Sequence, residues 1–310
     1  MKIIVTKKGI RSIEKTAREM LRFPEERKWE SADKDERFRS LFGAPSLVIA
    51  ALWELIRSQV NFGVEEKHLL WGHLFLKVYA KNEETHCAIV GLPTKQEFRE
   101  KAWHIVNIIA DLKDGIIRLE NRFINAPNNM VGRPYLTGDC SDFKINEPFP
   151  WNTKWCSPKF KGPGMKYEVC LAINSPNICW SNGPHVASAS EGTIFRTGLG
   201  LKLPADEPVK VDAGVKGDPR LMRPLMGVTS LARKQKSVYR ARQESIFSKM
   251  KQFQVLDTRF HHTCTEEVDY MKKHQVCFDS VLVITQLKLM LKVDKLMDVG
   301  EIDEVQYVMT

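Results

Sequence analysis

The stretch Tyr135-Leu136-Thr137-Gly138-Asp139-Cys140-Ser141-Asp142-Phe143-Lys144-Ile145 decides how this chain folds. It contains no proline, follows the turn residues Gly132 and Pro134, and reads as one β-strand. Met165 to Ile173 reads as a second strand behind Gly162-Pro163-Gly164, and Ile178 to Ser181 as a third behind Asn174-Ser175-Pro176-Asn177. Three strands with turn residues between them predict an antiparallel meander. Ser190 to about Leu203 then reads as a helix, Val209 to Asp212 as a short strand, Leu221 to Val228 as a fifth strand, and Ala232 to about Phe253 as a long helix. Hairpin-linked strands followed by strands alternating with helices predict a mixed sheet flanked by helices.

Upstream the pattern is helical. To about Arg122, apolar residues recur at three- and four-residue spacing, as in Leu47, Ile49, Ala50, Leu52, Trp53 and Ile56, and again in Leu69, Leu70, Leu74 and Val78. Glu84 to Val90, the break Gly91-Leu92-Pro93, and a second helix from Thr94 to about Leu112 form a helix-turn-helix candidate. Glu97, three residues after Thr94, has the spacing of a capping box. The outer face of the second helix would carry Lys95, Arg99, Lys101 and His104, with Phe98, Trp103, Ile105, Ile108 and Ile109 turned inward. Lys95 and Arg99 are therefore candidate DNA contacts, although any amphipathic surface helix shares this pattern. Pro127, Asn128 and Asn129 end the helical region. The expected organisation is an all-helical, helix-turn-helix-like region over 1–126, a mixed-sheet domain over 127–291 and an acidic tail over 292–310. The RNase H-like fold has this order of strands and helices.

With 310 residues, 43% of them hydrophobic, the chain is long enough for two cores. A net charge of +9 and a pI near 9.1 favour a polyanionic partner, nucleic acid first and an anionic membrane surface second. The richest apolar run, Ser46 to Trp53, is cut by Glu54, so no membrane span is expected, and Lys7 and Lys8 come too early for a signal peptide. Seven cysteines without a C-x-x-C pair fit reduced thiols inside the cell. His261, His262, Cys264, His274 and Cys277 match no closed zinc pattern.

Three acids stand out by position: Asp139 within the first strand, Asp212 at the end of the fourth, and Glu244 on the long helix. In a sheet of this order the first and fourth strands are neighbours and the last helix crosses them, so distant carboxylates can converge. Hard divalent cations take such oxygen ligands, and two ions about 4 Å apart activate an attacking oxygen and neutralise a leaving one. Asp142 competes with Asp139, but the two are three residues apart on a strand and face opposite sides. Taken singly, each acid reads as a turn, strand-end or surface residue.

At these residues the chain resembles the PIF/Harbinger group of DDE transposases. Asp139-Cys140-Ser141-Asp142-Phe143-Lys144-Ile145 stands where the family has its first catalytic aspartate, followed by Lys154-Trp155 and Lys159-Phe160-Lys161-Gly162-Pro163-Gly164. Val211-Asp212-Ala213-Gly214-Val215-Lys216-Gly217 is similar to the second motif, and Arg240-Ala241-Arg242-Gln243-Glu244 with Phe247 to the third. Cys140 stands where the family has glycine, Val215 where it has tyrosine, and Ser248 where it has glycine; none of the three is a metal ligand. The resemblance implies a nuclear, metal-dependent endonuclease that cuts and joins DNA, with Asp139, Asp212 and Glu244 holding two Mg²⁺ or Mn²⁺ ions. It also implies transposon ends and target DNA as partners and a Myb-like accessory protein, with a homo-oligomer left open; the lack of an apolar span points to no membrane partner. The alternative is a domesticated or decayed transposase that binds DNA without cutting it.

Helical spacing places Arg240 and Lys251 on the face of Glu244, as candidate contacts to the DNA backbone. Two basic strips adjoin the acids. One carries Arg233, Lys234, Lys236, Arg240, Arg242, Lys249 and Lys251, and the other Lys154, Lys159, Lys161 and Lys166. Runs of this kind are often only solvated faces. Arg242, Lys154, Lys159 and Lys161 join the candidate DNA contacts, and Trp155 is a stacking candidate for which packing is the simpler role.

Overall fold

The computed structural model describes residues 3–22, 32–57, 63–92, 94–127, 132–148, 150–224, 230–261, 267–296 and 307–308. Six helices come first: α1 (Lys7–Met20), α2 (Ala32–Phe42), α3 (Ser46–Ile56), α4 (Glu66–Val78), α5 (Glu83–Val90) and α6 (Lys95–Asp111). After the short α7 (Lys113–Ile116) the chain forms β1 (Leu136–Lys144), β2 (Cys156–Ser157), β3 (Gly162–Ala172) and β4 (Ile178–Val186). It continues through α8 (Glu191–Thr197), β5 (Val209–Lys210), β6 (Leu221–Pro224) and α9 (Ser230–Lys251). It closes with α10 (Gln254–Asp257), α11 (Glu267–Met290) and β7 (Tyr307–Val308). The protein is thus helical in its first third and carries a mixed sheet with helices after it.

Two compact units result. One holds Met1–Lys113, Met250–His262 and Lys273–Leu291; the other holds Asp114–Lys249, Thr263–Lys272 and Lys292–Thr310. The helical unit therefore takes in α10 and most of α11, which the sequence assigned to the sheet domain. The reason lies in composition: α11 is buried from Cys277 to Leu289, with apolar residues all round and a Ser280 hydroxyl bonded to the Val106 carbonyl at 2.7 Å. A helix without a polar face belongs inside a helical core. No single described helix is long and apolar enough to cross a membrane.

Within the helical unit, α5 and α6 follow the expected outline. Gly91 ends α5 at φ 73°, a left-handed position that suits glycine, and the Thr94 hydroxyl accepts the Glu97 N–H at 3.4 Å. Phe98, Ala102, Ile105, Val106 and Ile109 are buried. Pro93 lies outside the described residues.

The sheet unit is built around β1. It pairs antiparallel with β3 along its whole length, from Leu136 opposite Ala172 to Lys144 opposite Gly164. On the far edge of β3 come β4 and the short β2, both antiparallel. On the other side β5 runs parallel to β1, β6 parallel to β5, and β7 antiparallel to β6. The order is β4-β3-β1-β5-β6-β7, with β2 beside the start of β3. Strand β4 extends five residues beyond the predicted Ser181, and the helix expected to reach Leu203 stops at Thr197, followed by a 3₁₀ turn at Leu199–Leu201. The remainder of the expected fifth strand, 225–228, lies outside the described residues.

Alternation gives the sheet two different faces. Leu136, Cys170, Ala172 and Val209 pack with Phe195 and Leu199 on the side of α8. The opposite side meets α9: Gln243 Nε2 donates to the Thr137 carbonyl at 2.7 Å and to its hydroxyl at 2.9 Å, Phe247 meets Phe143, and the Lys210 ammonium lies 4.0 Å from the Tyr239 ring centroid. Thr137, Phe143 and Lys210 thus mark one face, and residues two apart from them share it.

Candidate functional site

The parallel register between β1 and β5 brings two of the three expected acids together. Leu136 faces Val209 and Thr137 faces Lys210, each pair 73 residues apart. Asp139 and Asp212 have the same separation, two positions further along. In-register residues of parallel neighbours project from the same face, with strands about 4.8 Å apart. Extended two residues past the paired segment, the register puts Asp212, just beyond the end of β5, level with Asp139, and the two carboxyls lie close enough for Asp212 to raise Asp139. Asp212 is exposed and Asp139 half-buried.

Their electrostatics fit this arrangement. The Asp139 carboxyl is pushed up to about 6, first by burial, then by the negative charge of Glu191, with a smaller push from Asp212. Lys159 and the Cys140 N–H, which donates to Asp139 Oδ1 at 2.8 Å, hold it down. A carboxyl crowded by like charges is relieved by a cation. Oxygen-only donors suit a hard divalent one.

Glu191, which the sequence reading passed over, is a third acid within electrostatic reach of the two aspartates, at the start of α8 and also within reach of Asp142 and Lys166 on the other face. It opens α8 behind the N-cap Ser190, whose hydroxyl accepts the Thr193 N–H at 3.2 Å. Glycine at 192 brings the start of α8 onto the turn after Asp212, since a Cβ there would sit 1.8 Å from the Lys216 carbonyl oxygen. Arg196 ties the same turn to α8 through the Gly217 carbonyl. Burial, then the charge of Asp212 and of Asp142, raise the Glu191 carboxyl, against Lys159 and Lys166. Nothing in the sequence separates Glu191 from an ordinary acid in a helix's first turn, and the close approach at Gly192 emerges only in the fold.

Behind these acids, Gly138, Asp139, Cys140, Glu168, Glu191 and Phe195 line a recess of about 10 Å³, room for about one water molecule and not for a substrate. Glu168, buried and bonded by the Trp180 indole N–H at 2.9 Å, is pushed up to about 7 by burial and is held mostly neutral below that pH. Asp142 faces away from Asp139, as expected from alternation. It is buried, accepts the Ser157 hydroxyl and lies 3.9 Å from the Lys166 ammonium.

Glu244 is exposed on α9 and bound to Arg240 Nε at 2.8 Å. The Glu244 hydrogen bond, and after it the charges of Asp212, Glu244 and Asp139, stabilise the exposed Arg240 guanidinium. Among the described residues no three His, Cys, Asp or Glu side chains stand together in ligating geometry. Asp139 and Asp212 come near one another, while Glu244 is held on the exposed face of α9 by Arg240.

The candidate DNA contacts divide sharply. Arg242 is corrected: it is buried, with Nη1 donating to the Ile173 carbonyl at 2.6 Å and Nη2 to those of Ala172 and Ser175 at 3.0 and 2.7 Å. It clamps the β3–β4 turn to α9 and has no face for a phosphate. Lys166 likewise leaves the basic strip, its ammonium buried against the Ala189 carbonyl at 2.8 Å. Lys154 is paired with Glu267 at 3.1 Å, and Lys249 with Asp294 at 3.6 Å. Lys161 is exposed on a turn with φ 51°, while Lys159 reaches the Cys140 carbonyl at 2.8 Å. Lys251 is partly buried and belongs to the helical unit. In that unit too, Lys95 and Arg99 are exposed but paired with Glu84 and Glu83 of α5. The side chains of Arg233, Lys234 and Lys236 lie outside the described residues, as do His262 and Cys264. Trp155 is buried, which makes it a packing residue, and Trp151 is the exposed tryptophan of that loop.

Comparison with known protein families, with curated proteins and with solved structures returns no match to this chain.

Proposed function

We propose that this chain is a PIF/Harbinger-type, DDE transposase-like endonuclease whose sheet unit has an RNase H-like fold. The observation that carries the proposal is the parallel β1–β5 register, whose extension by two residues would set Asp212 level with Asp139. Support comes from the strand order, with three antiparallel strands leading to a parallel pair, and from α9 crossing β1 with Glu244 on it. Asp139 and Asp212 would hold a divalent cation, Mg²⁺ or Mn²⁺, with Glu244 joining once Arg240 releases it. The cation supplies charge neutralisation at the phosphate and a lowered pKa for water. The protein's own part is to hold two carboxylates near one another at the end of a rigid sheet, with Arg240 beside them for the DNA backbone.

The test is nicking of a supercoiled plasmid in Mg²⁺. Wild type should nick it and Asp212→Ala should not; a wild type that binds DNA but leaves the plasmid closed would overturn the endonuclease. A second reading, a DNA-binding protein that no longer cuts, is favoured by one observation: Glu244 is engaged by Arg240.

A further inference from the structure

Four lysines lie between Pro148 and Tyr167, and their surroundings set one apart. Lys154 is neutralised by Glu267, Lys166 is buried on a backbone carbonyl, and Lys161 stands on an exposed turn. Lys159 reaches the strand residue next to Asp139. Its ammonium donates to the Cys140 carbonyl at 2.8 Å, and the N–H of that same residue donates to Asp139 Oδ1 at 2.8 Å. Lysine and aspartate thus meet on the two polar groups of one residue.

The placement is built into the fold. The Ser157 hydroxyl accepts the Lys159 N–H at 3.1 Å and donates to Asp142 Oδ2, with Ser157 and Asp142 both buried. The Lys161 N–H returns to the Ser157 carbonyl at 2.8 Å, closing the turn. Asp142, which alternation turns away from Asp139, therefore anchors the loop that carries a cation to it. An ammonium has three N–H bonds, and the Cys140 carbonyl takes one. A phosphate approaching this place meets the negative charges of Asp139, Asp212 and Glu191, and a fixed positive charge beside them lets it stay. Lys159 is the largest of the charges that counter both the Asp139 and the Glu191 shifts.

We propose that Lys159 binds an oxygen of the phosphodiester on which Asp139 and Asp212 act, orienting the DNA strand at the acidic pair. The inference rests on the proposed function. Three substitutions in the full chain separate charge from scaffolding: Lys159→Met removes both charge and donor, Lys159→Gln keeps a donor but no charge, and Lys159→Arg keeps both. The readouts are binding of a labelled DNA duplex across a KCl series, Mn²⁺ affinity by electron paramagnetic resonance, and plasmid nicking. Lys159→Met and Lys159→Gln should each weaken duplex binding about tenfold and make the slope of log K against log salt shallower by about 0.9. Lys159→Arg should keep the wild-type slope, and Mn²⁺ affinity should be at least as high in Lys159→Gln as in wild type. An unchanged slope in Lys159→Gln, or a loss of Mn²⁺ affinity parallel to a loss of stability, would overturn the inference. Wild type that nicks while the Lys159→Gln slope is unchanged overturns this inference alone; wild type that does not nick overturns the endonuclease, while the slope still decides the phosphate contact.

Discussion

Replacing Arg242 by methionine keeps the apolar stem and removes the three hydrogen bonds to the Ala172, Ile173 and Ser175 carbonyls. Each bond from a charged donor is worth about 1.5–3 kcal/mol. The three bonds share one guanidinium and end on one turn, so their costs overlap, and about 4 kcal/mol is expected for Arg242→Met. At about 2–4 °C per kcal/mol, thermal unfolding of the sheet unit should come about 10 °C earlier. Amide exchange should rise most at the β3–β4 turn, residues 173–177. Duplex DNA binding measured below the transition should keep its wild-type salt slope, because Arg242 touches no phosphate. A melting temperature within about 2 °C of wild type, with the salt slope shallower by about 0.9, would refute the buried clamp and return Arg242 to the DNA surface.

Glu244→Gln breaks an exposed i,i+4 pair and should leave the melting temperature unchanged, while lowering Mg²⁺-dependent nicking at least about a hundredfold; nicking at the wild-type rate would exclude Glu244 from the site. Gly192→Ala forces a Cβ against the Lys216 carbonyl and should cost about 2 kcal/mol in urea unfolding and weaken Mn²⁺ binding by moving the Asp212 turn; an unaltered Mn²⁺ isotherm would separate that turn from the ion. Acid should loosen the helical unit. His73 and His274 are fully buried, and burial lowers them from 6.5 to about 4 and about 3, so the folded chain holds them neutral. Below pH 6.5 only the unfolded chain takes up these protons. Stability is thus complete above pH 6.5 and falls as pH drops toward 4, by about 3 kcal/mol per histidine. Urea midpoints at pH 7, 5.5 and 4.5 followed by helical circular dichroism measure this, and a flat series would contradict it.

Much of the sheet is legible from turn residues alone. Asn174-Ser175-Pro176-Asn177 separates β3 from β4 because such residues punctuate the chain locally, whereas Gly162-Pro163-Gly164, expected as a turn, is the start of β3, paired with β2 and with the end of β1. The short β5 was located, although its pairing ends at Lys210, two residues before Asp212. Less legible are contacts made at long range. Arg242 reads as one more cation in a basic strip, since its partners are carbonyls 67 to 70 residues away and carbonyls carry no sequence signature. Lys95 and Arg99 read as a groove-facing surface because their neutralising partners, Glu83 and Glu84, sit on the previous helix and pair only once α5 and α6 pack. For the acidic pair the motifs supplied the residues, whereas the common separation of 73 needed the β1–β5 register to acquire a meaning.

The most direct test of the acidic pair is Mn²⁺ binding to wild type, Asp139→Asn, Asp212→Asn and the double variant, followed by electron paramagnetic resonance. If the β1–β5 register sets the two carboxylates on one ion, each single substitution should weaken binding at least about tenfold, and the double variant should be little weaker than either single one. Wild type without a bound ion, or two losses that simply add as for independent sites, would contradict it.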